Sequence, residues 1–311
     1  MERPVGDLSG TRVLVTGGGG FVGAPTVRAL MERGAIVRVL DLAAPRELAH
    51  LPCEVVMGDV GDSETVARAC DGCERVVHLA VLPLTRANAA VTEAFEANVR
   101  GSFNLFRAAG ESGARRVVYS SASSAYGPTD AVPIREDHPL RPTAFYPASK
   151  AAGELLLRGL AGTYGFSFAI LRYMNVYGPG QKAGVVPAVT RALLASERPK
   201  LTGDGSQAFD FVHIKDCAFA NLLALESDID GEDFNIGRGD ATSLNDLVAA
   251  LSSIVGVDVE PEYSGDRVDV PPRVGDLSKT RDLLGFEAQI TLREGLAGVV
   301  DELRAAESAG A

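Results

Sequence analysis

Tyr146 and Lys150 stand four residues apart in "FYPASK", at the start of a segment with helical spacing. That spacing puts a phenol and an ammonium on one face of a helix. An ammonium close to a phenol favours the phenolate, so the pair predicts a lowered tyrosine pKa and a proton-transfer device. Alone, Y-x-x-x-K equally describes a solvated helix face; its upstream company gives it weight. "SSASSAYG" (120–127) holds four serines in eight positions and follows the apolar run "RRVVY". It reads as the polar end of a buried strand, the floor of a site rather than a linker. Further upstream, "VTGGGGFVGAPTVRAL" places Gly17, Gly20 and Gly23 between a β-branched run and a helical segment. Side chains there would block a tight turn and the approach of a pyrophosphate, which the N–H groups opening the next helix would hold. Asp41 ends the second strand-like run, "AIVRVLD". A carboxylate there accepts from both ribose hydroxyls of an adenosine and repels a 2′-phosphate. Only Arg46 follows as a phosphate partner, so the expected cofactor is NAD rather than NADP. Asp59 and Val60 follow a third strand, where the acid reads either as part of an adenine site or as a loop cap.

These residues need elements to hold them. Apolar runs at 11–17, 35–41, 75–80, 115–120 and 166–173 alternate with helical segments such as 24–34 and "PASKAAGELLLRGLAGTYG". Alternation of this kind means βαβ units. The expected fold is α/β: a Rossmann-type doubly wound parallel sheet with a smaller, interleaved C-terminal substrate lobe. Beyond Tyr173 glycine and proline become frequent, with helices expected at 185–196, 215–226, 243–255 and 278–284. The expected division is 1–173 with about 211–233 for the cofactor, and about 174–210 with 234–311 for the substrate.

The chain of 311 residues carries a net charge of −11, which argues against nucleic-acid binding. No apolar run reaches the ~18 residues of a membrane span, and "MERPVGDLSG" lacks a signal-peptide pattern. A soluble cytoplasmic protein is the expectation. Cys70 and Cys73 form a lone C-x-x-C with no second pair, so the expectation is packing and no metal. His78 and His213 lie in strand-like runs and read as structural.

At this point the sequence resembles a family, the extended short-chain dehydrogenases/reductases, and within it the nucleotide-sugar epimerase/dehydratase group. "TGGGGFVG", "GDVGD", "HLA", "NVRGSFNLFRAA", "SSASSAYG", "YPASK", "LRYMNVYGP", "GDGSQAFDFVHIKD" and "DLSKTRDLLGF" carry the resemblance in order, over almost the whole chain. It implies a bound NAD contacted by Phe21, Val22, Leu79, Ala80 and Asn98 besides the residues above. It implies that Tyr146 takes a proton from a sugar hydroxyl, usually at C4, that Lys150 holds the nicotinamide ribose, and that a 4-keto sugar forms and is reduced on its other face. Relatives that dehydrate or decarboxylate commonly carry acids in the stretch matching 122–124. Here it is Ala122, Ser123 and Ser124, which favours a nucleotide-sugar 4-epimerase, with a UDP-sugar the expected substrate.

The usual hydroxyl position, five before Gly127, is Ala122, so Ser123 and Ser124 become the candidates, with Ser121 behind them. Tyr126 reads either as a cofactor neighbour or as packing. Asn175 and Phe209 are implied at the diphosphate and Val186 at the base. Gly180 and Phe209 stand where many relatives have arginine. Lys182, Arg191, Arg267 and Arg273 are possible substitutes. Arg273 also aligns near the position that gates sugar size, where a long cation crowds the pocket or pairs with an anionic group such as a uronic carboxylate. The resemblance further implies a homodimer through helices 91–111 and 147–163. The alternatives are a reductase on a substrate without a nucleotide diphosphate, and a dinucleotide-sensing protein without catalysis.

Overall fold

The computed structural model describes residues 8–265 and 271–310. Its strands are β1 (Arg12–Thr16), β2 (Ile36–Asp41), β3 (Glu54–Met57), β4 (Arg75–His78), β5 (Arg116–Ala122), β6 (Ser167–Tyr173), β7 (Asn175–Tyr177), β8 (Lys200–Thr202), β9 (Ala208–Phe209), β10 (Phe211–His213) and β11 (Glu232–Ile236), then two short ones at Thr242–Ser243 and Glu262–Ser264. Seven of them form one all-parallel sheet in the order β11-β6-β5-β4-β1-β2-β3. A parallel sheet must be covered on both faces. The helices as far as Glu226 are α1 (Gly23–Glu32), α2 (Ser63–Cys70), the single turns α3 (Leu84–Ala87) and α4 (Val91–Ala94), α5 (Gly101–Glu111), α6 (Phe145–Tyr164), α7 (Val185–Leu194) and α8 (Ile214–Glu226), and five of them do this. α1 and α8 cover one face around Val15, Val27, Leu171 and Leu222. α2, α5 and α6 cover the other around Leu14, Leu105, Tyr119 and Leu157.

A third core, built on Val189, Leu193, Leu247, Leu251 and Val300, joins α7 to α9 (Leu244–Val255) and α10 (Leu292–Gly310). The small paired strands β7–β10 lie on the chain's paths between the main sheet and this core. The α/β expectation is met: a doubly wound parallel sheet with a smaller interleaved lobe. Three details differ from the sequence reading. β11 carries the main sheet on to Ile236. The single helix expected over 91–111 is broken by a π-helical stretch, Phe95–Arg100. A 19-residue helix, α10, follows the last of the expected helices.

α6, which carries the tyrosine and lysine, is placed closely. Gly153 lets it ride against Tyr119 of β5: a Cβ there would lie 2.2 Å from the Tyr119 hydroxyl. Its N-cap residue, Ala144, offers no polar side chain, and the Tyr146 N–H donates instead to Asn88 Oδ1 at 2.9 Å. Gly165 ends it in the left-handed conformation.

Beneath it lies a buried ion cluster. Arg172 of β6 donates to both carboxylate oxygens of Glu154 on α6 (3.0 and 2.7 Å), to Asp233 of β11 (2.8 Å), to the Glu136 carbonyl (2.8 Å) and to the Tyr126 hydroxyl (3.1 Å). Arg158 pairs with Asp233 from the other side. Removing one partner of a buried pair leaves the other charge uncompensated. Arg172→Met is therefore expected to lose about 3–5 kcal/mol of unfolding free energy, read by urea titration. A loss under 1 kcal/mol would mean that the cluster does not hold the fold.

Candidate active site

The first strand ends in the glycine turn. Gly17 takes a positive φ of 67° with its Cα against the end of β4, where a Cβ would lie 2.8 Å from the Ala80 nitrogen. A Cβ on Gly23 would lie 2.0 Å from the Gly17 carbonyl oxygen, so α1 can start only on glycine. Val22 caps that start, its carbonyl accepting from the Thr26 hydroxyl at 2.8 Å. Phe21 faces the second lobe near Gly180. Asp41 at the end of β2 accepts from the Gly19 N–H (2.9 Å) and from the Leu42 N–H (2.8 Å), which ties the acid to the loop. A cradle that excludes Cβ atoms and a carboxylate at its far rim fit the pyrophosphate and adenosine ribose of a dinucleotide.

The remaining expected cofactor residues border this loop. Leu79 is buried, and the Ala80 N–H donates to the Thr16 hydroxyl (3.2 Å). Asn98, on the π-helical stretch, binds both backbone groups of Leu82 and the Ser149 hydroxyl (3.1 Å), so it pins the segment after β4 to α6. Asp59 makes a capping contact to the Gly61 N–H (2.8 Å), and Val60 is buried against Gly101.

Tyr146 is half-buried and Lys150 is 3% exposed. The Lys150 ammonium donates to the Ser120 carbonyl at 2.6 Å and lies 5.0 Å from the Tyr119 ring centre. Burial pushes the Tyr146 phenol up to about 12. Burial also pushes Lys150 down to about 7, against the attraction of Glu154 one helical turn on. The sequence expectation of a lowered tyrosine pKa is therefore corrected. With the ammonium drawn onto β5, desolvation outweighs the lysine's pull on the phenol.

The serine-rich stretch is the end of β5 followed by a 3-10 turn, Ser123–Tyr126. Each serine has a different task. Ser121 donates its hydroxyl to Glu154 (2.5 Å) and is committed. Ser123 is buried, and its carbonyl accepts from Arg273. The Ser124 hydroxyl is buried with no partner among the described residues, which leaves it as the hydroxyl available to a ligand. Tyr126 is fully buried and donates to Asn235 Oδ1 (2.7 Å), so packing is its role.

On the substrate side, Asn175 has an unpartnered buried Nδ2. Phe209 is half-buried and stacks edge-on with Phe211. Lys182 and Arg191 are exposed. Arg267 lies outside the described residues. Val186 turns into the lobe's core, while its neighbours Val185 and Val189, with Leu201, Gln207 and Leu244, line a cavity of about 550 Å³. Gln207 donates to the Thr202 carbonyl (2.8 Å) and keeps its Oε1 without a partner there.

His78 is buried between the Thr16 (2.7 Å) and Ser102 (2.9 Å) hydroxyls, and burial holds it neutral by pushing its pKa down to about 3. His213 is likewise buried and pushed down to about 4. Both are structural. Cys70 and Cys73 are buried free thiols, the first pushed up to about 12 by burial. Among the described residues no cluster of three metal-ligating side chains occurs, and no helix is long and apolar enough to cross a membrane. Sequence reasoning missed Glu154, Arg172 and Asn88. Only the spacing of Glu154, four after Lys150, offered a signal.

Comparison with known proteins agrees with this geometry. The chain is 34% identical to the UDP-glucose 4-epimerase of Mycolicibacterium smegmatis, over 94% of this chain and 98% of that one. Among solved structures, UDP-glucose 4-epimerase from Thermotoga maritima with UDP-glucose superposes with a TM-score of 0.89 at 34% identity, covering 96% of this chain and all (100%) of the other. MoeE5, solved with UDP-glucuronic acid and NAD, superposes with a TM-score of 0.87 at 32% identity, covering 95% and 99%. Residues 13–237 match the NAD dependent epimerase/dehydratase family. Fold, glycine cradle, tyrosine–lysine helix and sequence thus converge, and the chain belongs to that family.

Proposed function

We propose that this protein is an NAD-dependent nucleotide-sugar 4-epimerase. The observation that carries the reading is the serine turn: beside Tyr146 and Lys150, residues 122–124 hold no carboxylate, and the free polar group is the Ser124 hydroxyl. A 4-keto sugar formed here meets no acid on that turn to drive elimination or decarboxylation. Similarity to a UDP-glucose 4-epimerase solved with UDP-glucose, and to MoeE5 solved with UDP-glucuronic acid, supports the same class of substrate.

Bound NAD supplies a hydride acceptor that later returns the hydride. The protein's residues do the rest. Tyr146 takes the proton of the sugar's C4 hydroxyl and returns it to that oxygen after reduction on the other face; burial keeps its phenol protonated in the free protein, so its base form would need the positive charge that a bound nicotinamide supplies. Ser124 donates to the same oxygen. Lys150 holds the nicotinamide ribose, and exchanging the Ser120 carbonyl for that ribose would bring its charge nearer the phenol. Electrons and protons balance, so there is no net redox change. The lobe built on the parallel sheet holds the cofactor through Asp41 and the glycine turn, and the smaller lobe holds the nucleotide.

The absence of guanidiniums at Gly180 and Phe209 favours one other reading, a reductase on a substrate without a nucleotide diphosphate. A nucleoside diphosphate that raises the melting temperature of the NAD-loaded protein excludes that reading, because a ligand bound by the native state alone must stabilise it.

Tyr146→Phe is expected to lower epimerisation of a nucleotide-sugar panel by about 10²–10⁴-fold while NAD affinity and melting temperature stay as in the wild type. Turnover close to wild type in that variant would sink the mechanism. Asp41→Ala is expected to weaken NAD about tenfold or more and narrow its advantage over NADP, measured by fluorescence titration. An unchanged NAD affinity would remove Asp41 from the site. Phe95, Phe103 and Leu155 expose 44%, 38% and 69% of their surfaces on the α5–α6 side. A second copy is the proposed cover, and light scattering of the purified chain should give twice the monomer mass.

A further inference from the structure

Arg273 is fixed at both backbone groups. Its N–H donates to the Ala208 carbonyl (3.1 Å) and its carbonyl accepts from the Asp210 N–H (3.0 Å), beside Phe209. From that anchor the guanidinium crosses to the serine turn. It donates to the carbonyls of Ser123 (2.9 Å) and Gly127 (3.3 Å), the two ends of that turn. A guanidinium carries five N–H donors, so two contacts leave three to spare.

No carboxylate among the described residues pairs with it, and burial alone lowers its pKa. Arg116 is also held by carbonyls, those of Ala224 and Ile229, with Asp230 and Asp228 near enough to attract it, and other arginines are paired directly with acids. Arg172 has Glu154 and Asp233, Arg158 has Asp233, and Arg238 has Asp240. Carbonyl dipoles hold the Arg273 group in place but leave its formal charge unbalanced. Keeping a partly desolvated cation without a counter-ion costs free energy that an incoming anion would recover. The unpartnered Ser124 hydroxyl is on the same turn, and that turn packs on α6.

Resting on the epimerase reading, we infer that Arg273 selects a nucleotide-linked uronic acid, a sugar with a carboxylate on the carbon next to the reacting C4. With the C4 oxygen between Tyr146 and Ser124, the substituent on C5 lies one carbon away, within the reach of a guanidinium seated on the turn. A carboxylate there makes charge-assisted bonds; a neutral hydroxymethyl cannot balance the charge. Charge attraction falls off only as the inverse of distance, so it persists while the keto ring turns.

The test uses the NAD-loaded protein and its Arg273→Met variant with UDP-glucuronate and UDP-glucose, each followed by epimer formation and by melting shift. Wild type is expected to favour UDP-glucuronate in kcat/KM by about ten- to a hundredfold, and the variant to lose about that factor from the ratio. An equal or better wild-type rate with UDP-glucose overturns the inference, and so does a ratio unmoved by the substitution. The two readings fail separately. Interconversion of UDP-glucose and UDP-galactose without a carboxylate preference keeps the epimerase and discards Arg273. A melting shift larger with UDP-glucuronate and dependent on Arg273, without any turnover, keeps the charge selection and discards the epimerase. Stabilisation by neither sugar discards both.

Discussion

The site depends on one buried guanidinium. Arg172 sits on β6 directly beside Ser121 of β5 and binds Glu154, Asp233, Tyr126 and the 130s loop. A planar fork with five donors can hold five directions at once, which an ammonium cannot. Through Glu154 it fixes α6 one turn beyond Lys150. Through Tyr126 it fixes the serine turn from below. Losing it would leave Glu154 buried without its paired cation and Asp233 with Arg158 alone, and would free the two elements that must converge on a substrate.

Charge balance changes across the site in an ordered way. Deep in the sheet Arg172 is fully paired. Lys150, nearer the cleft, has only the distant help of Glu154 and is drawn toward neutrality. Arg273, on the lobe opposite, has carbonyls but no acid among the described residues. Rigid scaffolding is thus neutralised from within, while the groups facing ligand are under-compensated. Phenol and ammonium, both perturbed by burial, are the groups whose protonation a bound charge would change most.

Much of this was legible in the sequence, for identifiable reasons. Strand–helix alternation fixes the sheet because period and length are local properties. Gly17, Gly23 and Asp41 are legible because one backbone geometry and one carboxylate position have few substitutes. The serine assignments were only half legible. The sequence presents Ser121, Ser123 and Ser124 as equals, but Glu154 reaches only Ser121, and that contact joins residues 33 apart in the chain. The break in helix 91–111 was invisible because a π-helical stretch keeps helical composition while shifting phase. The rise in the Tyr146 pKa was misread because spacing reports proximity to Lys150 and says nothing of desolvation.

One contact has a bearing on how this chain tolerates change. Ser120 takes the Lys150 ammonium on its carbonyl, and Ser121 gives its hydroxyl to Glu154, so adjacent strand residues engage two rungs of one helix. Two residues earlier, Tyr119 fills the gap left by Gly153. A slip of β5 by one residue would bring the methyl of Ala122 to Glu154 in one direction, and Val118 to the Gly153 gap in the other. The strand end is therefore locked in phase with the helix to a single residue. A change of chain length at the strand end would move the reacting groups, whereas one in the short, mostly exposed stretch 128–133, ahead of buried Ile134, would not shift that lock.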